Sequence, residues 1–281
     1  MSPQPTSGPM HIDLGAVLRS KLGAKRARRV PRFLVRMLER MICQERLNEL
    51  LAAAWPREGA DFCDAVLREM NVVVEVEGKE NLPADGRAIF VCNHPLGGLD
   101  GIAIIDALAK VYGPGLHFLV NDILMAVEPL GKVFLPVNKH GAQSRQGATE
   151  LEEALAGPEP LAIFPAGLCS RRDADGRIAD LAWRKSFVSM ARRSGRPIVP
   201  LYFEGRNSNF FYRLARLRKR LGIGFNLEMI RLPRELVRAS GAKFRLVCGT
   251  PVKIEELGPR DAGEAQRIRR LVYSLASPQK Q

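Results

Sequence analysis

No apolar run in the 281-residue sequence approaches the roughly 18 to 20 residues that a membrane-spanning helix needs. Nor does an apolar segment with a small-residue cleavage site open the chain, so a protein neither secreted nor integral is expected. Cysteine is sparse: Cys43, Cys63, Cys92, Cys169 and Cys248 are odd in number and lack the paired short spacings of a zinc site or a disulfide scaffold. A reducing cytoplasm and no metal are the expectation. Aromatic residues are only 6% of the chain, and no stacking platform or recognised binding motif accompanies the arginines, which argues against nucleic acid. Glycine-rich phosphate loops, dinucleotide fingerprints and internal repeats are also missing. His11, His117 and His140 have no ligand-like companions and receive no role.

What is present is an ordinary globular balance, 46% hydrophobic and 26% charged, in a chain long enough for one substantial core. Only the short polar ends, residues 1–9 and 277–281, read as disordered. Basic residues outnumber acidic ones 43 to 30, a net charge of +13 that must attract a polyanion. Between Arg19 and Arg36 there are eight basic residues and no acidic one. This run leads into Phe33, Leu34, Met37, Leu38, Met41 and Ile42, spaced as one face of a helix that Pro31 can start. A second basic segment, 209–221, carries Phe210, Phe211, Leu214, Leu217 and Leu221 beside five basic side chains. Such helices either pack on their own domain or lie on an anionic bilayer. The second fate would make the protein peripheral on the inner face of the cytoplasmic membrane.

After a helical N-terminal region, 1–70, short β-rich runs alternate with helical stretches through 71–281, which predicts an α/β domain whose mixed, largely buried sheet is covered by helices. The strand candidates are 72–76, 88–92, 116–120, 133–137, 161–164, 198–203 and 244–248, several of them continuous apolar runs. Helical patterning marks 61–70, 101–111, 144–155, 183–193 and 262–275.

The polar segments after buried strands hold the chemistry. Asn93-His94-Pro95-Leu96-Gly97-Gly98-Leu99-Asp100 places an imidazole and a carboxylate in one glycine-containing turn. Imidazole accepts a hydroxyl proton near neutral pH, and a carboxylate on its other nitrogen fixes the tautomer and stabilises the imidazolium. Asp100 also suits the N-cap of the following helix. Arg171, Arg172 and Lys139 are candidates to hold a phosphate or carboxylate. Cys92 and Cys169 serve either as small packing residues or, for Cys169, as a thiol nucleophile. The polar run 204–208 either lines an acceptor pocket or caps the next helix through Asn207 or Ser208.

The Asn93-His94 pair followed by Asp100 resembles the lysophospholipid acyltransferase family, whose glycerophosphate and acylglycerophosphate members carry Asn-His and then Asp. Residues 131–139, Gly-Lys-Val-Phe-Leu-Pro-Val-Asn-Lys, look like the family's second block, Phe164-Pro165-Ala166-Gly167 like its third, and Ile198-Val199-Pro200 like a further one, all in family order. The resemblance implies the family α/β fold, an acyl-CoA or acyl-carrier-protein co-substrate with no bound cofactor, and His94 with Asp100 as the catalytic pair. The Gly167 backbone and the N-terminus of the helix after Asp100 are then candidate donors to the oxyanion. Two departures stand out. Five residues rather than four separate His94 from Asp100, an excess that Gly97 and Gly98 can absorb, and Ala166 replaces the glutamate with which the family engages its acceptor. The acceptor is accordingly a single-chain lysolipid, either lysophosphatidate-like or a lyso-aminolipid. A thioesterase-like hydrolase and a non-catalytic anionic-lipid-binding protein are the rival readings.

Overall fold

The computed structural model describes residues 8–23, 26, 29–137 and 142–276. Residues 1–7 and 277–281 of the polar ends lie outside these, as do Lys139 and His140. Among the described residues, the helices α1 (Leu14–Leu22), α2 (Arg32–Met41), α3 (Gln44–Ala54) and α4 (Gly59–Glu69) come first. Then β1 (Val73–Glu77), β2 (Ile89–Cys92), α5 (Leu99–Tyr112), β3 (His117–Val120), β4 (Phe134–Pro136), α6 (Ala142–Ala156) and β5 (Leu161–Ile163) follow. A small hairpin, β6 (Arg171–Arg172) with β7 (Ile178–Ala179), precedes α7 (Ser186–Ser194), β8 (Ile198–Glu204), α8 (Asn209–Arg220), α9 (Leu232–Arg238), β9 (Lys243–Cys248) and α10 (Asp261–Ser274).

Seven strands form one sheet in the order β1-β9-β8-β2-β5-β3-β4. Every neighbouring pair is parallel except β8 with β9, so the sheet is mixed. The central strand β2 is buried at all four positions, as its unbroken Ile-Phe-Val-Cys sequence requires when helices cover both faces. Edge strand β1 shows no fully buried position and alternates instead. One face of the sheet packs Phe90, Leu201 and Leu246 against α4 and α5, through Phe62, Val66, Ile104 and Leu108. The other packs Ile89, Val91, Leu161 and Ile198 against α7 and α10, through Phe187, Val188, Ile268 and Val272.

Arg196 is wholly buried, yet its guanidinium is satisfied: it donates to the carbonyls of Ala154, Leu155, Gly157 and Glu159, where α6 ends and leaves acceptors without helical partners. In α8 the expected single apolar stripe divides. Phe211, Tyr212 and Ala215 face the core, whereas Phe210, Leu217 and Leu221 are more than half exposed. Successive residues on a helix are about 100° apart, so the core-facing side of α8, centred on Phe211, Tyr212 and Ala215, turns Phe210 and Leu217 outward. Ser208 caps this helix, its hydroxyl accepting from the Phe211 amide at 3.2 Å.

Candidate active site

The loop that leaves β2 is held at its root by Asn93. Its side-chain amide donates to the Phe203 carbonyl at 2.9 Å and its oxygen accepts the Phe203 amide at 2.7 Å. The next residue, His94, has Nδ1 at 3.0 Å from Asp100 Oδ2. That oxygen also accepts the amides of Leu96 at 2.8 Å and Gly97 at 3.3 Å, while Oδ1 accepts the Gly101 amide at 3.0 Å. Burial pushes the fully buried Asp100 carboxyl upward, but the charge and hydrogen bond of His94 and the amides of Leu96 and Gly97 outweigh it and hold the group below the ordinary carboxylate value. The cap of α5 is Gly98, not Asp100, which sits inside the first turn facing the loop before it. Within the five-residue loop between His94 and Asp100, Gly97 has a φ of +87°, a left-handed backbone that glycine permits. A Cβ there would lie 2.8 Å from both Cδ atoms of Leu232.

Two further contacts fix the imidazole. Phe164 stacks on it with ring centroids 3.8 Å apart and planes inclined by 19°. From behind, buried Asp180 accepts the His94 backbone amide at 3.2 Å, the Ser170 hydroxyl at 2.6 Å and the Trp183 indole N–H at 2.9 Å. Burial raises the Asp180 carboxyl above its ordinary value in spite of these donors. Asp180 was not legible as a partner, because it lies 86 positions from His94 in an unpatterned polar stretch. Phe164 belongs to the third sequence block, where its stacking on His94 has no local signal.

His94 stands where two cavities meet. One, of about 260 Å³, has an almost entirely apolar wall that includes Phe62, Val66, Ile105, Phe118, Leu130 and Phe134. The other, of about 810 Å³, runs past Phe164, Pro165, Gly167 and Leu168 to Arg184, Lys185 and Arg193. An aliphatic chain fits the first and a polar or charged group the second.

The expected acceptor-binding arginines point elsewhere. Arg171 pairs with fully buried Glu228 at 2.9 Å, donates to the Cys169 carbonyl at 2.6 Å and lies over the Phe211 ring. Arg172 donates to Asn209 at 2.8 Å and covers Tyr212. Neither lines either cavity, because both complete the seam between the β6–β7 hairpin and α8. Lys139 lies outside the described residues. Gly167 lines the wider cavity, and its amide donates to the Phe164 carbonyl at 3.0 Å in a turn. Cys169 is no better placed as a nucleophile: burial pushes its thiol up to about 11 despite Arg171 beside it, so almost no thiolate exists near neutral pH. Cys92, fully buried, is raised as well.

A fixed imidazole with a buried carboxylate behind it, set between an apolar cavity and a wider one that ends at Arg184, Lys185 and Arg193, defines a site for proton transfer on a substrate with both aliphatic and charged parts. An acyltransferase family model matches residues 17–275, and the chain belongs to that family. It is 41% identical over 266 residues to the lyso-glycine lipid O-acyltransferase of Phocaeicola vulgatus, an alignment spanning 94% of this chain and 95% of that one. Against the lyso-glycine lipid O-acyltransferase of Bacteroides thetaiotaomicron the identity is 37%, with 94% and 97% covered. The solved 1-acyl-sn-glycerophosphate acyltransferase of Thermotoga maritima is similar with a TM-score of 0.47 at 17% identity, over 87% of this chain and 97% of that one. The family match and the two lyso-glycine lipid O-acyltransferases bear out the resemblance carried by the sequence blocks, and the protein is an O-acyltransferase.

Proposed function

We propose that the protein transfers a fatty acyl group from an acyl-CoA or acyl-carrier-protein thioester to the hydroxyl of a single-chain lysolipid at the inner face of the cytoplasmic membrane. The observation that carries this reading is the His94–Asp100 pair at the junction of the two cavities. With Nδ1–H donated to Asp100, Nε2 is the free base. It takes the proton of the acceptor hydroxyl as that oxygen attacks the thioester carbonyl. The tetrahedral oxyanion collapses, the C–S bond breaks, and the imidazolium returns the proton to the thiolate. In the first turn of α5 the amides of Gly101 and Ile102 are taken by Asp100 Oδ1 and the Gly98 carbonyl, which leaves those of Leu99 and Asp100, beside Gly98 at the wall of the apolar cavity, suited to the oxyanion in place of Gly167.

A lyso-aminolipid is favoured over lysophosphatidate. Ala166 offers no carboxylate to the acceptor, and the two curated relatives are named for a lyso-glycine lipid. Such an acceptor carries its hydroxyl on an acyl chain, with a charged head on the other side. Membrane attachment is supported by exposed Phe33 and Met37 on α2, which share a surface depression with Arg36, Arg40, Arg231 and Arg234. Arg231 lies 4.3 Å from the ring centroid of Phe210, which joins the exposed face of α8 to the same basic surface. No helix among the described residues is long and apolar enough to cross a bilayer.

The test is incubation of purified protein with radiolabelled acyl-CoA or acyl-carrier protein and a panel of lysolipids. Label in a diacyl aminolipid is the expected result. Label only in phosphatidate would reject the acceptor, and release of free fatty acid alone would reject transfer in favour of hydrolysis.

A further inference from the structure

We propose that Arg184 is the anion-binding residue of the wide cavity, holding a substrate carboxylate or phosphate while His94 acts on the hydroxyl; this rests on the acyl-transfer reading above. Arg184 and His94 line the same cavity. The arginine is tied to the third sequence block by its own backbone, its amide donating to the Pro165 carbonyl at 3.0 Å. Its guanidinium lies flat against Gly167, whose Cβ, were there one, would be 3.7 to 3.9 Å from three guanidinium atoms. Gly167 turns back on Phe164, and Phe164 stacks on His94. A short run of residues with a tied backbone thus sets Arg184 and the base in one cavity, and Arg184 does not line the apolar one.

The neighbouring arginines are already engaged. Arg193 pairs with Glu152 at 2.9 Å. Lys185, the other cation of this lining, is exposed and carries a point-charge ammonium rather than a planar fork. Arg171 and Arg172 are spent on Glu228 and Asn209. Arg184 is exposed, and among the described residues no carboxylate is recorded against its guanidinium. Ser186, in the first turn of α7, lines the same cavity, so the positive end of that helix adds to the field. The planar five-donor guanidinium grips a carboxylate or phosphate in two-point fashion, which a lysine ammonium does not.

Such an anion has two sources, the head group of the acceptor and the phosphates of the thioester carrier. Initial rates for Arg184→Ala and Arg184→Lys, with acceptor and donor varied separately, distinguish them. We expect the acceptor KM to rise about 10-fold or more in Arg184→Ala, with kcat changed far less and only partial recovery in Arg184→Lys. An acceptor whose carboxylate is blocked as an amide should react equally with wild type and variant. A rise in donor KM instead assigns the same site to carrier phosphate. Unchanged KM for both substrates overturns the proposal. Binding of an N-(3-hydroxyacyl)glycine, and separately of CoA, is measured by calorimetry on the full chain, since binding requires no turnover. Arg184-dependent binding without any acyl transfer would defeat the acyl-transfer reading and leave the anion site standing, whereas transfer with Arg184-independent binding of both probes would do the reverse.

Discussion

The backbone amide of His94 is received by Asp180, 3.2 Å away, and Asp180 is in turn held by the C-terminal helix: its amide donates to the Tyr273 hydroxyl at 2.7 Å and its carbonyl accepts from Arg269 at 2.6 Å. The base is thereby anchored through its main chain to an element remote in sequence. Asp180→Ala would leave the His94 amide, the Ser170 hydroxyl and the Trp183 N–H without an acceptor, and it should cost about 2 to 4 kcal/mol in urea unfolding. Asp180→Asn keeps an oxygen for His94 and Ser170 and should retain more kcat than alanine at equal KM. The two carboxyls also oppose each other in pH dependence. Asp180 has a raised folded pKa, so its contribution is complete below the ordinary value of 3.8 and lost as pH rises through the folded value; Asp100, with a lowered pKa, contributes fully above 3.8 and loses it as pH falls through its folded value. Urea titrations from pH 3 to 7 should therefore show Asp180→Asn gaining on wild type as pH rises above 3.8, and Asp100→Asn gaining on it as pH falls below 3.8.

His94→Ala should lower acyl transfer by about 100-fold or more, with some loss of urea stability as well, because buried Asp100 loses the partner that holds its carboxyl low and Phe164 loses its stacked ring. Asp100→Asn should be comparably severe in kcat, with some loss of stability, since an amide nitrogen in place of one oxygen faces backbone donors at Leu96, Gly97 or Gly101. Turnover near wild type in His94→Ala would sink the general-base mechanism.

Gly97→Ala should destabilise by about 1 to 3 kcal/mol and lower kcat, combining a left-handed backbone with overlap onto Leu232. Gly97→Ala combined with Leu232→Ala separates the two costs: if the overlap matters, the double variant recovers kcat relative to Gly97→Ala.

Binding to vesicles should rise with the anionic lipid fraction and fall with salt, since charge attraction is screened within about 8 Å at physiological ionic strength. Phe33→Ser with Phe210→Ser should weaken it without changing the urea midpoint, as both rings are exposed, at 73% and 53%. Equal partitioning onto neutral and anionic vesicles at low salt would remove the electrostatic component.

The sheet was legible wherever burial on both faces forces a run of apolar residues: 88–92 became Ile89–Cys92 and 198–203 became Ile198–Glu204. His94 and Asp100 were legible because both belong to one loop. Strand order was not, since nothing local tells β8 to lie between β2 and β9. The fate of Arg171 was hidden for the same reason, its partner Glu228 being 57 residues away in a segment of no evident pattern. Charge type identified the arginines, whereas three-dimensional pairing decided which of them remained available.

The amide of Asn93 makes the same two bonds to Phe203 that a peptide unit would make, just past the last residue of β2. A side chain thus supplies one further rung of the ladder while the main chain leaves the plane of the sheet. The departing backbone gains an attachment that constrains its direction without prolonging the strand. An aspartate at this position would keep the acceptor, lose the donor and bring a negative charge into a buried site, so one amide side chain governs the direction in which the backbone leaves β2 for His94.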